Sequence, residues 1–223
     1  MKDKKQCGTL REKVYTFLSR ELAEGRIKPG TYMDMNKLQE QLDVSRTPLR
    51  DALILLEADG IVTIYPRRGV MINPISRESI LNLYQLGGGL ESVLMSTVFE
   101  HIAPVHIKKM KQVVEECLLL FDKDDYSRAV ELNLAFHEVF HNLSSNALLR
   151  QELEKLYNRL FYFPRRSFSS EIVKRQERDY WTEHLQIIDF IEKGRRIEAA
   201  DFLRDVHWAF KEDYVAALHT LEA

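Results

Sequence analysis

The sequence predicts a mainly α-helical protein made of two parts. The first is a small N-terminal unit of three helices and a β-hairpin, and the second is an antiparallel all-helical bundle. Three observations support this fold class. Apolar residues recur at helical spacing through most of the 223 residues. Two β-rich runs flank the turn-forming residues 66–69. After Asn73 and Pro74, a series of long amphipathic segments follows.

The N-terminal unit begins with three short helices. Apolar spacing predicts them over residues 10–24, about 36–42, and Ser45 to about Ala58. Ser45 is suited to cap the third helix because its hydroxyl can accept a hydrogen bond from a first-turn amide. Residues rich in β-formers then predict the two strands of a hairpin at 61–65 and 70–72.

The second part is predicted to contain six long helices. Their expected positions are 76–100, 105–122, 124–143, 146–163, 170–193 and 195–219. The change from mixed elements to helices alone places the boundary between the two parts at about residue 74.

The composition is that of an ordinary globular chain, with 45% hydrophobic and 30% charged residues. No apolar stretch is long enough to cross a membrane and no signal-peptide core follows the first residues, so we expect no membrane partner. Cys7 and Cys117 form neither a disulfide framework nor a thiolate zinc site, which favours a reducing cytoplasm.

Charge is distributed unevenly between the two parts. Residues 1–73 hold 13 Lys and Arg against 10 Asp and Glu (+3), and residues 74–223 hold 19 against 24 (−5). This difference suggests that the two parts bind different partners.

The order of the N-terminal elements is that of a winged helix-turn-helix, in which the third helix enters the major groove of DNA. Arg46 and Arg50 stand four residues apart and share a helix face. Arginine can bind two acceptors of guanine at once, and Thr47 suits a phosphate or a thymine methyl group. Arg67 and Arg68 at the hairpin tip are placed to reach phosphates or a minor groove. Two arginines on one face are usually only solvated, so the ordered combination of motifs carries the prediction.

These motifs closely resemble the GntR superfamily of bacterial transcription regulators over residues 10–73. The residues that carry the resemblance are Gly25, Lys28-Pro29-Gly30, Leu38, the run from Leu42 to Leu53, Leu56, Gly60-Ile61-Val62 and Pro66-Arg67-Arg68-Gly69. The resemblance implies that Arg46, Thr47 and Arg50 contact DNA, with Ser45 at the helix cap and Gly69 at the tip of the wing.

One histidine pattern of the helical part suggests an enzyme. The run from His137 to His141 matches H-E-x-x-H, which on a helix places two imidazoles on one face. In zinc proteases the glutamate of this pattern acts as the general base. The pattern fixes only three letters, and no downstream residue stands out as a third ligand. A zinc metalloprotease that uses His137, Glu138 and His141 is therefore the alternative function.

A second pattern joins Asn133, His137, His184 and His207, which stand 4, 47 and 23 residues apart. Asn133 and His137 share a helix face, and the other two histidines fall on the last two predicted helices. Three antiparallel helices would therefore bring these polar groups to one interior point.

This layout resembles the FCD domain, the ligand-sensing domain of the FadR-type branch of the same superfamily, over residues 76–218. The markers are Leu83-Tyr84, Leu90-Glu91, Phe136-His137, Asn146, Leu148-Leu149, Glu183-His184, Ala199-Ala200 and His207. The resemblance implies a divalent metal held by His137, His184 and His207, together with a small organic acid. Asn133 replaces the usual aspartate, and its neutral oxygen is a weaker ligand that still suits zinc or nickel. The alternative is a polar cavity that binds water or an organic ligand directly.

The resemblance also implies an arginine near residue 87 that binds the carboxylate of the effector. This chain has three glycines there, at residues 87–89, and each costs a helix about 1 kcal/mol relative to alanine. Extra pocket room, a close helix approach, a kink or a displaced binding site would each account for them. Arg159, Arg165 or Arg166 could replace the missing arginine. Arg159 is the predicted effector-binding residue because it stays inside the helical pattern.

Together these patterns predict a cytoplasmic, ligand-responsive transcription regulator rather than an enzyme. Residues 1–73 are expected to bind DNA, and residues 74–223 to bind the effector and form the dimer. The resemblance implies a homodimer on a near-palindromic operator of double-stranded DNA. It also implies repression that a small carboxylate relieves.

Overall fold

The computed structural model describes residues 9–23, 26–74, 76–162 and 171–212. Within these residues, the N-terminal part contains α1 (Leu10–Ala23), β1 (Tyr32–Met33), α2 (Met35–Leu42), α3 (Arg46–Ala58), β2 (Val62–Tyr65) and β3 (Gly69–Ile72). The following part contains α4 (Arg77–Val98), a 3₁₀ turn (Phe99–His101), α5 (Pro104–Phe121), α6 (Ala129–His141), α7 (Ala147–Tyr162), α8 (Glu171–Glu192), α9 (Arg196–Phe202) and a π-helical turn (Leu203–His207).

The described chain divides into two compact units. The first contains the residues up to Arg77 together with residues 157–162 at the end of α7. The second contains residues 78–156 and 171–212. The end of α7 therefore belongs to the unit that contains the sheet, which helical periodicity alone does not indicate.

The first unit is built around an apolar core between its helices and its sheet. Leu18 of α1, Leu53 of α3 and Val70 of β3 are fully buried in this core. The strand order is β1-β3-β2, and both pairs are antiparallel. The predicted hairpin is formed by β2 and β3. β1 was not predicted because its two residues, Tyr32 and Met33, are too few to show a period.

A tight turn connects α2 to α3. Asp34 caps α2, because its Oδ1 accepts hydrogen bonds from the amides of Asn36 and Lys37 at 2.7 and 3.2 Å. Asp43 ends α2 in the left-handed conformation, with φ 52°. Ser45 does occupy the N-cap position of α3, but its side chain forms no capping hydrogen bond. The predicted cap is therefore right in its position and wrong in its hydrogen bond.

The second unit is all helical. α5 packs against α6 and α8, and α8 packs against α9. Phe136 and Trp181 are among its fully buried side chains. α6 begins at Ala129 rather than at residue 124, because Asp125 Oδ1 accepts a hydrogen bond from the Ser127 amide at 2.9 Å and holds a turn there. Among the described helices, none is both long and apolar enough to span a membrane.

The last predicted helix, over 195–219, does not continue without interruption. α9 passes into the π-helical turn that ends at His207, and residues 209–211 are not helical. The residues from 213 onward lie outside the part of the chain that is described. Single π-helical turns often occur at functional sites, and this turn ends at one of the predicted metal ligands.

Candidate nucleic-acid interface and candidate metal centre

The start of α3 presents the predicted DNA-binding residues to solvent. Ser45, Arg46, Thr47 and Arg50 are all exposed. Leu49 lies among them and is fully buried in the core of the first unit. The turn that carries the two arginines is therefore anchored by its apolar face.

The hairpin completes an arginine-lined groove of about 430 Å³ in the first unit. Arg46 and Arg50 of α3 line the groove together with Arg67 and Arg68 from the hairpin tip. Asp34, the cap of α2, also lines it. Within the described residues, none of the four arginines forms an ion pair. Their positive charge is therefore available to an anion such as a phosphate.

Two contacts fix the hairpin against its neighbours. Gly69 has φ 99°, and a Cβ at this position would lie 2.2 Å from the carbonyl oxygen of Met33. Only glycine therefore allows β3 to pass this close to β1. Glu57 of α3 accepts a hydrogen bond from the amide of Ile64 in β2 at 2.7 Å. The wing arginines are thus carried on a hairpin that is tied to the helix beside it.

The second unit brings the three predicted histidines together. His137 lies on α6, His184 on α8 and His207 at the end of the π-helical turn, and all three are buried. His137 Nε2 lies 3.4 Å from His184 Nε2 and 3.2 Å from His207 Nε2. Two nitrogens bound to one tetrahedral zinc ion stand about 3.4 Å apart, since each bond is about 2.0–2.1 Å long. The spacing is therefore that of ligands of a single ion.

Carboxylates contact the outer nitrogens of two of these rings. Glu91 Oε1 lies 2.8 Å from His137 Nδ1, and Glu183 Oε2 lies 3.1 Å from His207 Nδ1. A carboxylate favours the tautomer that carries its proton on the nearby Nδ1, and in that tautomer each Nε2 presents a lone pair. Two lone pairs that face each other at 3.2 Å repel unless a cation lies between them. This donor set therefore fits a bound metal ion.

Glu91 also connects the cluster to two further side chains. Its Oε1 lies 2.6 Å from His141 Nε2, and its Oε2 accepts a hydrogen bond from Trp208 Nε1 at 2.7 Å. Burial raises the pKa of Glu91, but the contacts with His137 and His141 outweigh burial and hold this pKa well below its ordinary value. Glu91 is therefore ionised at neutral pH.

Two of the buried histidines, His137 and His184, are neutral at the same pH. Burial lowers the pKa of His137 to about 4, against the opposing effect of Glu91. Burial also lowers the pKa of His184 well below its ordinary value. Because a metal ion binds the neutral imidazole, these two rings are already in the state that binds an ion.

The two histidines of the H-E-x-x-H pattern contact different groups. The inner nitrogen of His137 faces His184 and His207, whereas His141 Nε2 contacts Glu91. Glu91, His137 and His141 are close enough to form a second possible ion site. Glu138, however, is exposed. The geometry does not favour the protease alternative, because its general base does not reach the cluster.

Asn133 lies on α6 one turn before His137 and is half-buried. Residues four apart share a helix face, so Asn133 stays the predicted fourth ligand.

The structure does not bring Arg159 to the histidines. Arg159 belongs to the first unit, where its Nε donates a hydrogen bond to the carbonyl oxygen of Asp59 and its guanidinium lies against Gly60. The prediction of Arg159 as the effector-binding residue is therefore not supported, because periodicity shows that a residue is helical but not which neighbour it meets. Arg165 and Arg166 lie outside the described residues.

The glycines of α4 allow another part of the chain to approach closely. A Cβ on Gly87 would lie 2.4 Å from Trp208 Cζ3, and one on Gly88 would lie 3.0 Å from Trp208 Cβ. No atom lies within 4 Å of the corresponding position on Gly89. α4 runs without a break from Arg77 to Val98. Of the explanations offered by the sequence, close approach is the one that the structure supports at Gly87 and Gly88.

Sequence reasoning assigned no role at the cluster to Glu91, Glu183 or Trp208. The sequence could have indicated a role for Glu91, because it is a carboxylate four residues after Gly87 on the face of α4 that otherwise carries apolar residues. Glu183 directly precedes a predicted ligand. Trp208 had no such signal, because its position depends on where the last helix ends.

Comparison with known proteins identifies the family of both units. The model for bacterial regulatory proteins of the gntR family matches residues 10–72, and the model for the FCD domain matches residues 82–207. The chain is 27% identical to the HTH-type transcriptional regulator YdhC of Bacillus subtilis (strain 168) over 152 residues, 68% of this chain and 67% of that protein. It is 23% identical to the HTH-type transcriptional repressor RspR of Escherichia coli (strain K12) over 145 residues, 65% of this chain and 64% of that protein.

These two alignments span about two thirds of each relative's length. The fold is also that of a solved structure, E. coli McbR/YncC, with a TM-score of 0.72 at 18% identity over 90% of this chain and 94% of that one. The matched FCD region alone covers more than half of the 223 residues. The chain therefore belongs to the gntR family of bacterial regulatory proteins and carries an FCD domain as its helical part.

Proposed function

We propose that this protein is a cytoplasmic transcription repressor without enzymatic activity, whose affinity for its operator is set by a ligand at the histidine cluster. The convergence of His137, His184 and His207 on one buried point is the observation that carries this proposal. The arginine-lined groove of the first unit supports the DNA-binding part. One relative, RspR, is named a transcriptional repressor, which supports repression as the direction of regulation.

On DNA, α3 lies in the major groove with Arg46 and Arg50 on base edges. Arg67 and Arg68 of the wing bind phosphates or enter the adjacent minor groove. Two copies pair through their helical units. Their recognition helices then bind two half-sites of a near-palindromic operator, which lie one helical turn, about 34 Å, apart.

A divalent ion, zinc or nickel, would be held by His137, His184 and His207, with Asn133 as the fourth ligand. When bound, the ion supplies the positive charge that the facing Nε2 lone pairs require. Glu91 lies against the outer nitrogen of His137, and Glu183 accepts a hydrogen bond from the outer nitrogen of His207, so that both carboxylates orient the rings.

Operator binding tests the DNA-binding part. A selection from random duplexes would supply the operator, and fluorescence anisotropy would measure its affinity. Arg46→Ala is expected to weaken binding by about 1–3 kcal/mol, because a bidentate contact to a base is lost. Arg150→Ala is the control, since Arg150 is an exposed arginine of the second unit and its loss removes the same charge. Equal affinities of the two variants would contradict the assignment of Arg46.

Metal content tests the site. Native, tag-free protein is expected to contain about one zinc or nickel ion per chain by mass spectrometry, and the ion should be lost on treatment with a chelator. His184→Ala should not retain the ion. His101→Ala, which removes an exposed histidine, should retain it. An ion that survives in His184→Ala but is lost in His141→Ala would support the protease alternative instead.

A further inference from the structure

We propose that Arg159 is a positioning residue for DNA recognition. From α7 it holds the C-terminal end of the recognition helix α3, and it thereby sets the position of Arg46 and Arg50. This inference rests on the proposed DNA-binding function and names a residue that serves it without touching DNA. It follows from the way α3 ends, from the segment that carries Arg159, and from the length of α3.

The C-terminal end of α3 is closed by a Schellman turn. Gly60 follows the C-cap residue Asp59 and has φ 74°, in the left-handed region that favours glycine. The amide of Gly60 donates to the carbonyl oxygen of Glu57 at 2.9 Å. The amide of Ile61 donates to the carbonyl oxygen of Leu56 at 3.0 Å. The turn thus satisfies these two carbonyls by itself, and the carbonyl of Asp59 takes its donor from another segment.

Arg159 supplies that donor. Its Nε donates a hydrogen bond to the carbonyl oxygen of Asp59, and its Nη2 lies 3.0 Å from the position of a Cβ on Gly60. Glycine is therefore needed here both for its backbone angle and for the space that the guanidinium occupies. The C-terminal end of a helix also carries a partial negative charge, which a cation such as arginine stabilises.

Two further segments are fixed at the same end of α3. Arg11 of α1 forms an ion pair with the buried side chain of Asp59. Asn73, which follows β3, donates through its Nδ2 to the carbonyl oxygen of Gly60 at 2.9 Å. Its backbone amide donates to the carbonyl oxygen of Ile61 at 3.0 Å. Residues 59–61 are therefore a junction at which α1, α7 and the end of the sheet all contact the end of α3.

The segment that carries Arg159 comes from far along the chain. α7 extends from Ala147 to Tyr162, and its residues 157–162 belong to the first unit, whereas residues 147–156 belong to the second. Tyr157 and Leu160, on either side of Arg159, are buried. The end of α3 is therefore completed by a helix that begins in the second unit, and not by the first 77 residues alone.

The length of α3 makes its far end sensitive to the position of Asp59. The helix has 13 residues, which corresponds to about 20 Å at 1.5 Å per residue. A tilt of about 5° at Asp59 would therefore move Arg46, at the other end, by roughly 1.7 Å. Apolar packing is not directional, so the core contacts of α3 permit such a tilt. Hydrogen bonds weaken steeply when they are misaligned, so those at the end of α3 resist it.

The test compares the affinity of the full-length protein for its selected operator and for a random duplex of the same length. Phosphate contacts supply the binding to random DNA, whereas base contacts supply the specificity. Arg159→Ala should weaken operator binding by about 2–30-fold, the usual range for residues that contact no ligand. Its affinity for the random duplex should not change. A first unit that is merely destabilised would lose both affinities by the same factor, so the ratio of the two identifies positioning.

Matched variants complete the test. Arg159→Lys keeps a cation and a donor, and it should recover part of the operator affinity. Arg150→Ala removes an exposed arginine from the part of α7 that belongs to the second unit, and it should keep both affinities. Each lost phosphate contact lowers the slope of log K against log salt concentration by about 0.9. Arg159→Ala should keep the native slope, whereas Arg67→Ala should reduce it.

The outcomes separate this inference from the proposed function. If Arg159→Ala keeps the native ratio of operator to random affinity, Arg159 does not position α3 and the inference is overturned. A reduced salt slope in Arg159→Ala would also overturn it, because Arg159 would then contact DNA itself. If the native protein prefers no selected duplex over random DNA, the proposed function fails and this inference fails with it. If Arg159→Ala does not fold, Arg159→Met, which keeps an apolar stem and removes the donor, takes its place in the same comparison.

Discussion

At the scale of single residues, Glu91 connects three side chains at the histidine cluster. Its two oxygens contact His137, His141 and Trp208, and the side chain is fully buried. Removing an ionised carboxylate from water costs several kcal/mol unless its partners compensate. A carboxylate kept in this position therefore has a role that an apolar side chain could not replace. From its 2.8 Å contact with His137 Nδ1, we infer that this role is the orientation of the His137 ring.

Glu91→Gln is expected to lower metal affinity by about 10–100-fold, the usual effect of losing a carboxylate behind a ligating histidine. Glutamine keeps the size of the side chain and removes the charge. Competition with a chromogenic chelator would measure the affinity, and circular dichroism would verify the fold. Glu138→Gln is the matched control, because Glu138 is exposed one residue after His137. A larger loss in Glu138→Gln than in Glu91→Gln would mean that the wrong glutamate has been assigned.

At the scale of elements, α4 packs closely against the residues that follow the last helix. Glycine normally weakens a helix by about 1 kcal/mol relative to alanine. At Gly87 and Gly88 this cost allows Trp208 to lie against the helix backbone, whereas Gly89 faces open space. The three adjacent glycines therefore have different roles, although they look identical in the sequence.

Alanine substitutions at Gly87 and Gly89 should have opposite effects on stability. Gly89→Ala should raise the free energy of unfolding by about 0.5–1 kcal/mol, because it removes the flexibility of glycine without a clash. Gly87→Ala should lower it by about 1–3 kcal/mol, the usual cost of overpacking, since its Cβ would lie 2.4 Å from Trp208. Urea denaturation of both variants measures this difference. In a Trp208→Ala background the penalty at Gly87 should disappear, and a penalty that persists would show that Trp208 is not its cause.

At the scale of the whole molecule, the buried histidines link folding to pH. His137 has a folded-state pKa lowered to about 4 by burial, and the pKa of His184 is also lowered. In the unfolded chain both pKa values are near 6.5. Between these values the unfolded state binds protons that the folded state does not. Stability therefore rises with pH in this window and falls as the pH drops through it.

The free energy of unfolding of the metal-free protein is expected to fall as the pH decreases from about 6.5 towards 4. The slope should reach up to about 1.4 kcal/mol per pH unit for each of these histidines. Urea denaturation across this range measures the slope, and His184→Gln should reduce it. Saturating Zn²⁺ should add about 2.7 kcal/mol at a hundred times its Kd at neutral pH, and this gain should vanish in acid. A flat profile in the native protein would mean that these histidines are charged in the folded state.

Much of the architecture was accessible from the sequence because it depends on local patterns. The period of Leu49, Leu53 and Leu56 defines the buried face of α3, and the turn residues between β2 and β3 define the hairpin. The spacing of His137, His184 and His207 over three helices led to their predicted convergence, and the structure brings their inner nitrogens together. The strand β1 and the end of the last helix were missed because their signals are too short or arise from distant contacts.

Residue type and spacing were enough to predict the two-part organisation, the positions of the arginines on α3 and on the wing, and the convergence of the three histidines, because each of these follows from local pattern. The side chains that surround the histidines could be identified only from the packed structure. Glu91 and Trp208 stand 117 residues apart, and only packing brings the indole to the carboxylate. Packing likewise places Arg159 against Asp59. The helical pattern that contains Arg159 was equally compatible with a position at a ligand site. The physical reason is that periodicity reports which face of a helix is buried, whereas the partner of that face depends on how the helices pack.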